Sequence, residues 1–149
     1  MKTFSKSSLF LILFCFSSAV FSADPIQTSF LTDTAVSGYD TVAYFKENAA
    51  IKGKKEFEYD WMGANWRFSS AENLELFIND PHAYAPQFGG YCSYAVGLGA
   101  TAPGDPKQFS VVNDKLYLNY SSKTKVLWED DRDQFIASGE ENWPGLIAK

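Results

Sequence analysis

Apolar residues in this chain form one unbroken run, Leu9 to Phe16, and thereafter only short groups at strand-like or helix-like spacing. Phe57, Tyr59 and Trp61 alternate with Glu58 and Asp60, the period of a half-buried strand. Trp66 and Phe68 repeat the alternation after the turn Met62-Gly63-Ala64-Asn65, which predicts an antiparallel hairpin. Ser69-Ser70-Ala71-Glu72 then has the form of a capping box, with the Ser69 hydroxyl as cap and Glu72 reaching back. Leu74, Phe77 and Ile78, three and four apart, give the following helix one apolar stripe, and Pro81 ends it by forcing Asp80 out of helical geometry.

The remaining segments carry weaker signals. Ala23 to Thr34 is polar and is expected to lie extended over the surface. Asp40 stands as an N-cap before Thr41-Val42-Ala43-Tyr44-Phe45, favouring a helical turn, although the β-branched Thr and Val leave a strand open. Phe88 to Val96 is entered through Gly89-Gly90, a pair that permits positive φ or the close approach of another group. Ala102-Pro103-Gly104-Asp105-Pro106 is a turn cluster, and Phe109 to Val112 and Leu116 to Asn119 flank Asn113-Asp114 as a second hairpin. Lys123 to Ser138 reads as a helix with Val126, Leu127 and Phe135 on its apolar side, stopped by Gly139 before a short tail at Asn142-Trp143-Pro144.

The first apolar run changes the picture most. Lys2 and Lys6, the run itself, and the small-residue end Val20-Phe21-Ser22 ahead of Ala23 follow one another in the order of a secretory signal peptide spanning residues 1–22. The run is far shorter than the roughly 20 residues that cross a bilayer, so no stable membrane insertion is expected. Bulky Leu13 and Phe14 before Cys15 do not suit a lipid anchor. Cleavage before Ala23 leaves 127 residues, one domain's worth, in the periplasm or outside the cell. The whole chain has a net charge of -5, and loss of Lys2 and Lys6 leaves 11 basic against 18 acidic side chains. An excess of negative charge excludes nucleic acid and anionic membrane as partners, since both require clustered cations.

Cleavage also removes Cys15, leaving Cys92 as the single cysteine, without an internal disulfide partner. His82 and Met62 are likewise the only residues of their kind in the cleaved chain. One cysteine and one histidine fall short of the four ligands of a structural zinc site. A thiolate, an imidazole and a thioether do suit Cu(I), so Cys92, His82 and Met62 form a candidate copper site, with a metal-handling protein as a candidate partner. Each has a plainer reading: free cysteine is among the most often buried residues, and a histidine after a helix-ending proline is commonly a surface residue. A thiol-dependent enzyme would have His82 as its only imidazole base, and no phosphate loop, nucleophile elbow or zinc-protease motif is present, so a binding role outranks a catalytic one.

Gly38-Tyr39-Asp40 with Val42-Ala43-Tyr44-Phe45, the unit from Trp66 to Pro81, Gly89-Gly90-Tyr91-Cys92 with Tyr94-Ala95, Leu116 to Tyr120, and Asn142-Trp143-Pro144 together resemble the exported members of the YHS-domain family. The resemblance runs in order over nearly all of residues 23–149. It implies a small α+β domain related to treble-clef metal-binding modules and often found beside heavy-metal transport systems. Metal-associated relatives carry a cysteine where this chain has Ser69, and often another where it has Asn73; the Tyr-His-Ser triplet is absent too. Two binding readings therefore stand beside the enzyme. One is an exported module holding copper through Cys92 with His82; the other is a metal-free domain that binds a partner protein or a small apolar ligand on the aromatic surface near Gly89 to Tyr94.

Overall fold

A computed structural model describes residues 22–148, so the leader reading for residues 1–22 lies outside the described residues except for Ser22. The segment expected to lie extended over the surface is extended, as the short strands β1 (Thr28–Ser29) and β2 (Thr32–Ala35), but it is partly buried, at Ile26, Thr34 and Ala35. Asp40 caps α1 (Thr41–Glu47), settling that segment as a helix. The expected hairpin is β3 (Lys54–Trp61) and β4 (Ala64–Phe68). Its loop is the two residues Met62 and Gly63, both at positive φ (51° and 74°), the geometry that matches the twist of the flanking strands. The sheet runs β1-β2-β4-β3, antiparallel except for the β2–β4 pair.

Helix α2 (Ala71–Asn79) follows, but its cap is Ser70, whose Oγ accepts from the Asn73 amide at 3.1 Å. Ser69 is drawn elsewhere: its hydroxyl donates to Asp40 Oδ2 at 2.6 Å. Glu72 does not reach back to the cap either, because it pairs with Lys46. On the same helix Phe77 is buried and Ile78 is 43% exposed, so the apolar stripe is narrower than its spacing suggested and Asn73 takes the inner position beside it. Pro81 both ends α2 and opens the single turn α3 (Pro81–Tyr84), sitting at the first helical position where its missing N–H costs nothing.

After α4 (Ser93–Gly97) come β5 (Asp105–Val112) and β6 (Lys115–Asn119), joined through Asn113 and Asp114 at φ 50° and 57°. The predicted final helix is two: α5 (Ser122–Asp130), capped by Ser121, and α6 (Arg132–Ile147). Gly139 does not stop α6. A Cβ there would meet Phe88 Cζ at 2.6 Å, so this glycine is where the helix crosses an aromatic ring. Val126 and Leu127 are exposed and Trp128 carries the burial of α5.

The result is a small α+β domain in which β6 divides two apolar clusters. Its side chains alternate between faces. Leu116 and Leu118 join Trp66, Phe68, Phe77, Val42 and Tyr44 on the side of the four-stranded sheet, while Tyr117 packs with Phe88, Val96 and Trp128 on the side of α4 to α6. Among the described residues, no helix is long and apolar enough to cross a membrane.

Candidate functional site

Three distant parts of the chain, with Pro25 and Ile26 as a fourth, converge on one open cleft of about 350 Å³. The first is the end of β3. Trp61 is fixed because its carbonyl accepts from Trp66 Nε1 at 3.0 Å and its ring meets Trp66 and Phe77 edge-on at 5.6 and 5.7 Å. Met62 follows in the turn and is half exposed. The second part is α3 and the segment after it. Asp80 Oδ1 accepts from the Ala83 amide at 3.2 Å, and the turn so formed sets the His82 ring edge-on to Trp61, with centroids 5.0 Å apart.

From there Ala85, Pro86, Gln87, Phe88 and Gly89 continue the wall. Gly89 sits at φ 59°, and a Cβ would lie 2.0 Å from the Pro25 carbonyl oxygen, so the double glycine serves both purposes expected of it. Gly89 O accepts from Gln27 N at 2.9 Å, which lays Pro25 and Ile26 along the same cleft.

The third part is the end of α6, which supplies Glu140, Trp143, Pro144 and Ile147. Asn142 Nδ2 holds this helix to α4 by donating to the Val96 and Gly97 carbonyls at 3.0 and 3.2 Å. Trp143 stands 6.0 Å from Phe88 and 5.8 Å from Tyr91, and Leu146 O accepts from Ala23 N at 2.8 Å. The wall is thus mostly apolar with a few polar groups, and its volume falls in the range typical of small-molecule sites.

The three candidate copper ligands are divided between two places. His82 and Met62 line the cleft and Cys92 does not. Cys92 is 1% exposed, and its Sγ donates to Asn119 Oδ1 at 3.6 Å, an oxygen that also accepts from the Tyr94 amide at 3.1 Å. Among the described residues, no three His, Cys, Asp or Glu side chains are grouped so as to hold a metal ion. Cys92 is thus set apart from His82 and Met62, and the ligand set on which the copper reading rested is not assembled in the cleft.

Ser69 and Asn73 belong to a buried polar network around Asp40. The Asp40 carboxylate is fully buried. Oδ1 accepts from Val42 N and Ala43 N at 2.9 and 3.2 Å, and Oδ2 accepts from Ser69 N, Ser69 Oγ and Asn73 Nδ2 at 2.8, 2.6 and 2.7 Å. That network joins α1, the end of β4 and α2, and none of Asp40, Ser69 and Asn73 lines the cleft.

Of the aromatic surface expected near Gly89 to Tyr94, much is covered. Tyr94 packs on Phe135 at 4.8 Å and Tyr91 on Trp143. Trp143 and Glu140 were missed because the chain after Gly139 reads as a tail. The signal that finds them is the helical spacing of Phe135, Ile136, Gly139, Trp143 and Leu146, which passes through the glycine without a break. No family model matches this chain, and neither the curated proteins nor the solved structures contain a significant match to it.

Proposed function

We propose that the chain is an exported binding module of the YHS-domain type that holds a small, largely apolar organic molecule in the cleft between the end of β3, the segment from α3 to Gly89 and the end of α6. The observation that carries this reading is the composition of the wall: Trp61, Met62, Phe88, Trp143 and Ile147 give it apolar area, and His82, Gln87 and Glu140 give it a few orienting polar groups. Cys92 has a structural role here, a buried small side chain at the seam between α4 and β6.

The neutral dye N-phenyl-1-naphthylamine tests the proposal, since its emission rises when it leaves water. Wild-type protein should enhance the emission, Trp143→Ala should weaken binding by about tenfold or more through the loss of a central aromatic contact, and Val126→Ala, on the exposed face of α5, should leave it unchanged. Dye binding that is indifferent to Trp143→Ala and Trp61→Ala would place the ligand elsewhere and overturn the reading.

A further inference from the structure

The charges in the wall narrow the class of ligand. Two indoles, Trp61 and Trp143, and the Phe88 ring line a cleft whose described residues include one carboxylate, Glu140, and neither lysine nor arginine. Aromatic faces carry a negative quadrupole and attract cations within about 6 Å, with indole the strongest of them. Helix α6 adds to this. Pro144 has no N–H, so it makes no helical hydrogen bond to the Glu140 carbonyl one turn earlier, and both residues lie on the wall.

Glu140 does have a partner, Lys115 Nζ at 3.3 Å, but the two side chains are 55% and 47% exposed. A pair so wet contributes little and yields readily to a competing cation.

Resting on the binding role proposed above, we infer that the cleft selects organic cations: a quaternary or alkylated ammonium group set among Trp61, Trp143 and Phe88, with its charge toward Glu140 and its apolar part along Met62 and Ile147. A neutral ligand of the same shape gains the apolar contacts alone. An anion meets Glu140 and finds no lysine or arginine among the described residues of the wall.

Choline and its neutral isostere 3,3-dimethylbutan-1-ol separate the two contributions, because they differ in one atom and one charge. Each is titrated at pH 8 into the full chain, and binding is read from displacement of N-phenyl-1-naphthylamine. Choline should bind about fivefold tighter than the alcohol, the ratio expected from a partly desolvated cation over aromatic rings. Glu140→Gln should reduce that ratio, and Trp143→Ala should weaken both ligands. Equal affinities, or a tighter alcohol, would overturn the cation selectivity while leaving an apolar binding cleft in place. Failure of both ligands to displace dye that binds in a Trp143-dependent manner has the same meaning, whereas failure of dye, alcohol and choline together would overturn the binding role as well.

Discussion

Asn73 Nδ2 donates to Asp40 Oδ2 across 2.7 Å in the interior, between two residues 33 positions apart and each almost wholly buried. Through that contact the cap of α1 becomes the anchor of α2. A buried carboxylate is costly unless it is well hydrogen-bonded, and Asp40 meets the condition with donors from three elements. Removing it leaves those donors without an acceptor, each a penalty of about 1–3 kcal/mol and not additive. Asp40→Ala should therefore lower stability by about 3 kcal/mol or more in urea unfolding. Ser70→Ala should cost about 1 kcal/mol as a lost helix cap, and Ser69→Ala about 2 kcal/mol, because its hydroxyl makes a short bond to the buried Asp40 side chain. The reverse order for the two serines would mean that the cap had been assigned to the wrong residue.

Gly139 gives a prediction of unusual sign. In an ordinary helix interior Gly→Ala stabilises by about 1 kcal/mol. Here the added methyl would lie 2.6 Å from Phe88 Cζ, and Phe88 is itself buried and held at φ 54°. Gly139→Ala should destabilise by about 1–3 kcal/mol through overpacking and should weaken dye binding, since Phe88 lines the cleft. A stabilised variant in thermal unfolding would show that α6 sits further from Phe88.

These two positions also mark how far local rules reach. Both hairpins and the cap at Asp40 follow from residues within a few positions of one another, and all are present. Ser69 fits the capping-box pattern better than Ser70, because Glu72 stands three residues after it. What overrides that pattern is the claim of Asp40 on the Ser69 hydroxyl, a contact 29 residues away. Gly139 resembles a helix stop for the same reason, because the ring that requires it lies in another part of the chain. The cleft was least legible of all. Its wall draws on Pro25, Trp61, His82, Phe88 and Trp143, and no spacing rule links these residues. His82 and Met62 were singled out from the sequence and do share that wall, whereas Cys92 is held by Asn119.

Alkali should unfold the protein through its tyrosines. The Tyr44 hydroxyl donates to Pro106 O at 2.7 Å. Burial first, and then Tyr39, Asp105 and Asp40, hold its pKa well above the ordinary tyrosine value, while burial also raises Tyr117 and Tyr91. A raised folded pKa gives a contribution that is complete below the unfolded value of about 10 and is lost as pH rises beyond it, because the unfolded chain then releases protons that the folded chain retains. Stability measured by urea titration should be flat up to about pH 10 and fall above it. Tyr44→Phe should cost about 1 kcal/mol at pH 7 from the lost hydrogen bond and make the alkaline fall shallower. An unchanged alkaline slope would remove Tyr44 from this account.

The Cys92 thiol should be silent in the folded protein. At 1% exposure, with Sγ on Asn119, it reacts only when the region around α4 opens. With a chromogenic disulfide reagent the native protein should react at least about 100-fold more slowly than protein in urea, in proportion to the fraction open. Rapid stoichiometric reaction without denaturant would show an accessible thiol and restore Cys92 as a candidate reactive centre.

The chain's four tryptophans report directly on the central claim, because two of them line the cleft and Trp66 and Trp128 are buried in the two apolar clusters. In a two-dimensional ¹H–¹⁵N spectrum, titration with N-phenyl-1-naphthylamine should move the indole N–H signals of Trp61 and Trp143 most and leave that of Trp128 in place. Saturable shifts that are largest at those two signals are the predicted result. A spectrum in which they stay fixed while dye binds, or in which Trp128 moves as far as they do, would contradict a ligand site in this cleft.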